Sequence, residues 1–151
     1  MSDTTEGGAI AGYAIREGPG AMDFARVQTL LAAMYWTPGI GRDRVERAAA
    51  NSALVIGVFS SAGGQVGYAR VVSDKTRFAY LCDVVVDEAH RGRGVGRAMA
   101  GFALSHPDFA TVATWTLSTR DAHGVYAPLG FLPVTDPVSR PADWMVLRRG
   151  G

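Results

Sequence analysis

The most constraining stretch of the chain reads Val84-Val85-Val86-Asp87-Glu88-Ala89-His90-Arg91-Gly92-Arg93-Gly94-Val95-Gly96-Arg97. An unbroken apolar triplet is the mark of a central strand covered on both faces. The glycines that follow let the backbone turn tightly and come close to a ligand, and a helix is predicted from Gly94 to Leu104, stopped by His106-Pro107. Strand, glycine-rich turn and helix in that order put unpaired N–H donors and about half a positive charge at the helix head. Arg91, Arg93 and Arg97 add cations with no acidic residue among them. The expected ligand is a phosphate or pyrophosphate.

Spacing separates the common phosphate-binding patterns. The dinucleotide pattern G-x-G-x-x-G fails because Arg97 stands in place of the third glycine, and the P-loop pattern fails because no Gly-Lys-Ser/Thr follows. What remains is Arg91-x-x-Gly94-x-Gly96. This resembles the (Arg/Gln)-x-x-Gly-x-(Gly/Ala) signature of the GNAT N-acetyltransferases. The likeness extends to Thr119-Arg120-Asp121-Ala122-His123-Gly124-Val125-Tyr126-Ala127-Pro128-Leu129-Gly130-Phe131, where the family has an Asn-x-x-Ala segment and then a tyrosine four residues before Gly-Phe. Thr119 stands where asparagine is usual, and its hydroxyl could serve the same contact.

The rest of the chain fits one domain. Its 151 residues, 48% hydrophobic and 19% charged, suit one folded core over residues 9–149, after a frayed start at residues 1–8. Strands are predicted at Ala9–Arg16, Leu54–Phe59, Val66–Val72, Phe78–Val86, Thr111–Leu117, Phe131–Val134 and Trp144–Leu147. Helices are predicted around Phe24–Met34, Arg42–Ala50, Gly94–Leu104 and Ala122–Leu129, the last capped by Asp121 and ended by Gly130. The resemblance implies an α+β fold: a mixed, mostly antiparallel sheet of six to seven strands with splayed central strands, flanked by about four helices.

A net charge of +1, from 15 basic and 14 acidic residues, argues against a nucleic-acid partner. No stretch approaches the ~20 apolar residues of a spanning helix, so no membrane partner is expected. A single cysteine, Cys82, excludes an intrachain disulfide, and the polar Met1–Gly8 lacks the form of a secretory signal, so a cytoplasmic address is expected. Three scattered histidines give no metal spacing.

What the resemblance implies about chemistry can be placed residue by residue. The segment Arg91, Gly92, Arg93, Gly94, Val95, Gly96 and Arg97 would hold the coenzyme A pyrophosphate, and the backbone edge of Val84, Val85 and Val86 would pair with the pantetheine arm, with Thr119 nearby. Tyr126 would protonate the departing thiolate of acetyl-CoA. Asp83, on the strand beside the thioester position, is the leading general base, with His123 and Asp121 as rivals. Tyr35 and Trp36 follow the first helix, in the region that covers the acceptor site in many relatives. Acetyl transfer to an amine of a small molecule, peptide or protein is the expected activity, with a non-catalytic acyl-CoA sensor as the alternative. A homodimer is common in such families.

Overall fold

The computed structural model describes residues 10–136 and 144–150. Three segments rich in β-branched and aromatic residues form a meander: β2 (Leu54–Ser60), β3 (Gln65–Ser73) and β4 (Phe78–Val86). The β2–β3 turn takes Gly63 through φ +100°, as the Ser-Ala-Gly-Gly sequence leads one to expect. β1 (Tyr13–Glu17) pairs antiparallel with β2, and β5 (Thr114–Thr116) pairs parallel with β4. The sheet order is β1-β2-β3-β4-β5.

Helices cover the two faces. On one, α1 (Phe24–Ala32) and α2 (Arg42–Ala50) bury Val27, Leu30, Leu31, Val45 and Ala49 against Val55, Tyr68 and Val85. On the other, α3 (Val95–Leu104) packs Val95, Met99, Phe102 and Ala103 onto alternate residues of β2, β3 and β4. The triplet Val84–Val86 is thus shared between the faces: Val85 belongs to the first core, whereas Val84 and Val86 pack against the second. A fourth helix, α4 (His123–Tyr126), tightens into a 3-10 turn at Ala127–Leu129, where Pro128 lacks an N–H, and Gly130 ends it at φ +101°.

Buried Gln65 fixes α1 against the sheet. Its Oε1 accepts from the Asp23 amide at 2.9 Å and its Nε2 donates to the Gly67 carbonyl at 3.0 Å. Arg26 of α1 donates to the Gln65 carbonyl at 3.2 Å and forms an ion pair with Asp87, just past β4. Helix, hairpin and the start of the glycine-rich turn are therefore joined by one polar network.

Four expectations need correction. The sheet has five strands among the described residues, not six to seven. Phe131–Val134 forms no strand: the Phe131 amide returns to the Tyr126 carbonyl, Pro133 cannot donate to a ladder, and the Asp136 amide closes a turn on the Pro133 carbonyl. Trp144–Leu147 likewise pairs with no strand among the described residues, and its side chains are exposed. Asp121 does not cap α4; that N-cap position is Ala122, whose amide donates to Thr119 Oγ1 at 2.9 Å. The expected frayed start, residues 1–8, lies outside the described residues.

Candidate active site

β4 and β5 pair only at Phe78–Thr114, Ala79–Trp115 and Tyr80–Thr116. Beyond Tyr80 the edge of β4 that faces β5 has no strand partner among the described residues, which leaves an open strand edge running to Val86. The splay expected of the central strands is therefore present. A buried strand edge is a place where an extended ligand can supply the missing hydrogen bonds.

At the far end of that edge the backbone forms an anion cradle. Gly92 and Gly94 both take positive φ, 78° and 81°, and a Cβ at either would meet nothing within 4 Å. Their role is conformational: the left-handed turns aim successive amides outward at little steric cost. Gly94 is the N-cap of α3, no side chain caps the helix, and the first amide with an intrahelical partner is that of Ala98, bonded to the Gly94 carbonyl at 2.9 Å. The amides of Val95, Gly96 and Arg97 are first-turn donors without intrahelical partners. Gly96 serves differently. A Cβ there would come 3.9 Å from Val86 Cγ2 and 4.0 Å from Val125 Cγ1, so the bare glycine leaves room where β4, α3 and α4 converge.

Arginines brace the cradle. Arg91 Nε donates to the Val86 carbonyl at 3.1 Å, pinning the turn to the strand end. Arg93 donates to the Tyr13 hydroxyl at 3.2 Å, which also shares a 2.8 Å hydrogen bond with His90 Nδ1. Arg97 is exposed on the first turn of α3.

Tyr126 lies on α4, buried to 7% exposure, with its ring edge-on to Phe131. Burial pushes its hydroxyl above the usual tyrosine value, which keeps the proton in place for donation. Thr119 lies nearby, and both line a cavity of about 700 Å³ between β5 and the segment after α4. Accepting from Ala122 leaves the Thr119 hydroxyl proton free to donate elsewhere. His123 and Asp121 are exposed.

Halfway along β4 the ladder slips. Tyr68 faces Val85 and Arg70 faces Cys82, so β4 carries one extra residue opposite Ala69, and Asp83 takes φ +54°. This is a β-bulge, and Asp is among the few residues that tolerate that region. The bulge re-aims Asp83 so that its Oδ2 accepts from Arg70 Nε at 2.6 Å and its Oδ1 from Trp36 Nε1 at 3.1 Å. Trp36 is stacked edge-on against Tyr35 at 5.0 Å, and the Arg120 guanidinium sits 3.7 Å from the centre of the Tyr35 ring. The loop after α1 thereby reaches both the bulge and the segment leading into α4.

The structure brings together Asp83, Tyr35 and Trp36, and separately the residues of the glycine turn. Arg70, which the sequence reading passed over, carried a usable signal: it is the one charged residue within an otherwise apolar run, Val66–Val72. Tyr68 was passed over as well. Its hydroxyl is buried without a partner among the described residues, and burial holds its ionisation well above the ordinary value.

Cys82 neighbours this site without the geometry of a nucleophile. Burial pushes its thiol up to about 11, with Arg70 opposing and Asp83 reinforcing the shift, while His90 is engaged with Tyr13. Iodoacetamide at pH 8 is expected to alkylate Cys82 at least about 100-fold more slowly than a free cysteine, because the thiolate fraction falls with the raised pKa. Mass spectrometry over a time course checks this, and a rate equal to that of the unfolded chain would contradict it.

A family model described as an acetyltransferase (GNAT) domain matches residues 39–133. Among solved structures, a protein assigned to the GNAT acetyltransferases from Xanthomonas campestris pv. campestris is 34% identical, with a TM-score of 0.77 over 91% of this chain and 96% of that one. A GNAT-family acetyltransferase from Streptococcus pneumoniae TIGR4 shares the fold at 19% identity, with a TM-score of 0.70 over 91% and 99% of the two chains. An aminoglycoside acetyltransferase from an uncultured soil metagenomic sample does so at 17% identity, with a TM-score of 0.61 over 92% and 98%. No curated protein matches the sequence.

Proposed function

The chain belongs to the GNAT acetyltransferase family, and from that premise we propose that it moves an acetyl group from acetyl-CoA to a primary amine by direct attack. The observation that carries this reading is the cradle. Left-handed Gly92 and Gly94 and the uncapped head of α3 follow directly on the end of the unpaired edge of β4. The amides of residues 92–97 would hold the pyrophosphate, and the backbone of Val84–Val86 the pantetheine arm. Bound there, acetyl-CoA supplies an activated acyl group.

The chain's own residues then handle orientation and protons. The acceptor must present a neutral amine, so its ammonium proton has to leave before attack. Asp83 is the base we assign, supported by its carboxylate lying at the bulge of β4 beside the aromatic pair Tyr35 and Trp36, whereas His123 and Asp121 are exposed. As the carbon–nitrogen bond forms and the carbon–sulfur bond breaks through a tetrahedral intermediate, the hydroxyl of Tyr126 gives its proton to the departing thiolate.

The decisive experiment is a turnover screen with acetyl-CoA across amine classes, reading released thiol. Coenzyme binding without turnover in any class would instead favour an acyl-CoA sensor. For the base, paired pH–rate profiles of Asp83→Asn and His123→Ala are informative, since asparagine also tolerates the left-handed backbone at position 83. Asp83→Asn is expected to depress the rate most on the acidic limb, by about 10²-fold, with the loss shrinking as pH nears the pKa of the amine. Loss of that limb in His123→Ala alone would transfer the role to His123.

A further inference from the structure

We propose that the acceptor is an amine carrying an anionic group, a carboxylate or a phosphate, and that Arg120 is the residue that selects it. This rests on the acetyl-transfer reading and adds the substrate class to it.

The inference comes from the charge around the bulge. Arg120, Tyr35, Trp36, Asp83 and Arg70 form a continuous chain of contacts: guanidinium on ring, ring against ring, indole N–H to carboxylate, carboxylate to guanidinium. Within it the one carboxylate is already matched by Arg70, and Asp83 is only 11% exposed. Burial opposes the charge of Arg70, yet the hydrogen bond it donates to Asp83, with the nearby Cys82 and Tyr68, holds its pKa above the ordinary value, so the cation persists. Arg120 is different. It is exposed, it rests on the face of Tyr35, and among the described residues no carboxylate lies within ion-pairing distance of it.

A guanidinium held over an aromatic face keeps N–H groups available to other partners, and a guanidinium matches a carboxylate or phosphate in bidentate fashion. A simple alkylamine or a polycation would bring positive charge to a site with an unmatched arginine. An amine with an attached anion offers Arg120 the negative charge that its surroundings lack.

Two matched sets test this in thiol-release assays at saturating acetyl-CoA. One is phenylalanine, phenylalaninamide and phenethylamine; the other is glucosamine 6-phosphate and glucosamine; the polycation tobramycin is a further probe. The anion-bearing member is expected to exceed its anion-free counterparts in kcat/KM by about tenfold or more, and the set in which this occurs identifies carboxylate or phosphate. In Arg120→Gln that advantage is expected to vanish through KM, with kcat and the KM of the anion-free counterpart unmoved. Equal or better use of phenethylamine, glucosamine or tobramycin overturns the proposal, as does an advantage that survives in Arg120→Gln.

If no probe is turned over, calorimetry on the coenzyme A-loaded protein decides. Binding of phenylalanine or glucosamine 6-phosphate that is lost in Arg120→Gln upholds the anion site and removes the acetyl-transfer reading. Binding of none of the probes overturns the anion site.

Discussion

Gly94→Glu is expected to weaken coenzyme A binding by at least about 100-fold, equivalent to about 2.7 kcal/mol. Steric obstruction within the protein is not the cause, since a Cβ at this position meets nothing within 4 Å. Backbone strain is one cause: Gly94 sits at φ +81°, and a glutamate held in that region costs about 1–3 kcal/mol. Charge is the other. A carboxylate at the N-cap of α3 would itself settle on the first-turn amides and repel the phosphates that need them. Gly94→Asn separates the two effects, because asparagine tolerates the left-handed region and carries no charge, so it should retain most of the affinity. Calorimetry on folded variants checks both. Unchanged affinity in Gly94→Glu would remove the pyrophosphate from this turn.

The contrast between what the sequence disclosed and what it hid follows from how local each signal is. α2 and β4 have the bounds predicted for them, Arg42–Ala50 and Phe78–Val86, because helical periodicity and a run of β-formers need no partner to be read. The turn at Gly92–Gly94 was legible for the same reason: only glycine enters those backbone angles freely. Strands at the end of the chain were another matter. Phe131–Val134 and Trp144–Leu147 have strand-like composition, but a strand exists only where a neighbouring edge accepts its hydrogen bonds. The segment at Thr111–Leu117 was shortened to Thr114–Thr116 on the same account, since only those three residues find partners on β4.

The candidate site divides along the same line. Cradle residues are contiguous and could be named from one motif. The cluster at the bulge could not, because it joins residues 35, 36, 70, 83 and 120 from four parts of the chain. Asp83 was singled out by its place before the valine triplet, yet its left-handed backbone arises from a register slip against β3 that no local pattern encodes. Arg70 owes its meaning to that slip, since without it the carboxylate would not meet the guanidinium at 2.6 Å.

Tyr126→Phe is expected to lower kcat by about 10² to 10⁴, the usual contribution of a general acid, while leaving coenzyme A affinity within about twofold. The substitution removes one oxygen from a ring that is 7% exposed and packed edge-on against Phe131, so the fold around α4 should persist. Among the described residues the hydroxyl has no hydrogen-bond partner, so its removal strands no buried donor or acceptor. A purely structural tyrosine would therefore show almost nothing in either measurement. The sign of its pKa shift gives a second test. Burial raises the tyrosine above its ordinary value of about 10, so it stays protonated through the neutral range, and any basic limb it sets lies above that value. In wild type the rate should hold from neutral pH toward that limb, and in Tyr126→Phe the limb should disappear along with most of the rate. Poor leaving groups depend most on an acid, so the deficit should shrink with an acyl donor whose thiol is more acidic than coenzyme A. An undiminished kcat, or a deficit indifferent to the leaving thiol, would return Tyr126 to the role of a core residue beneath Phe131.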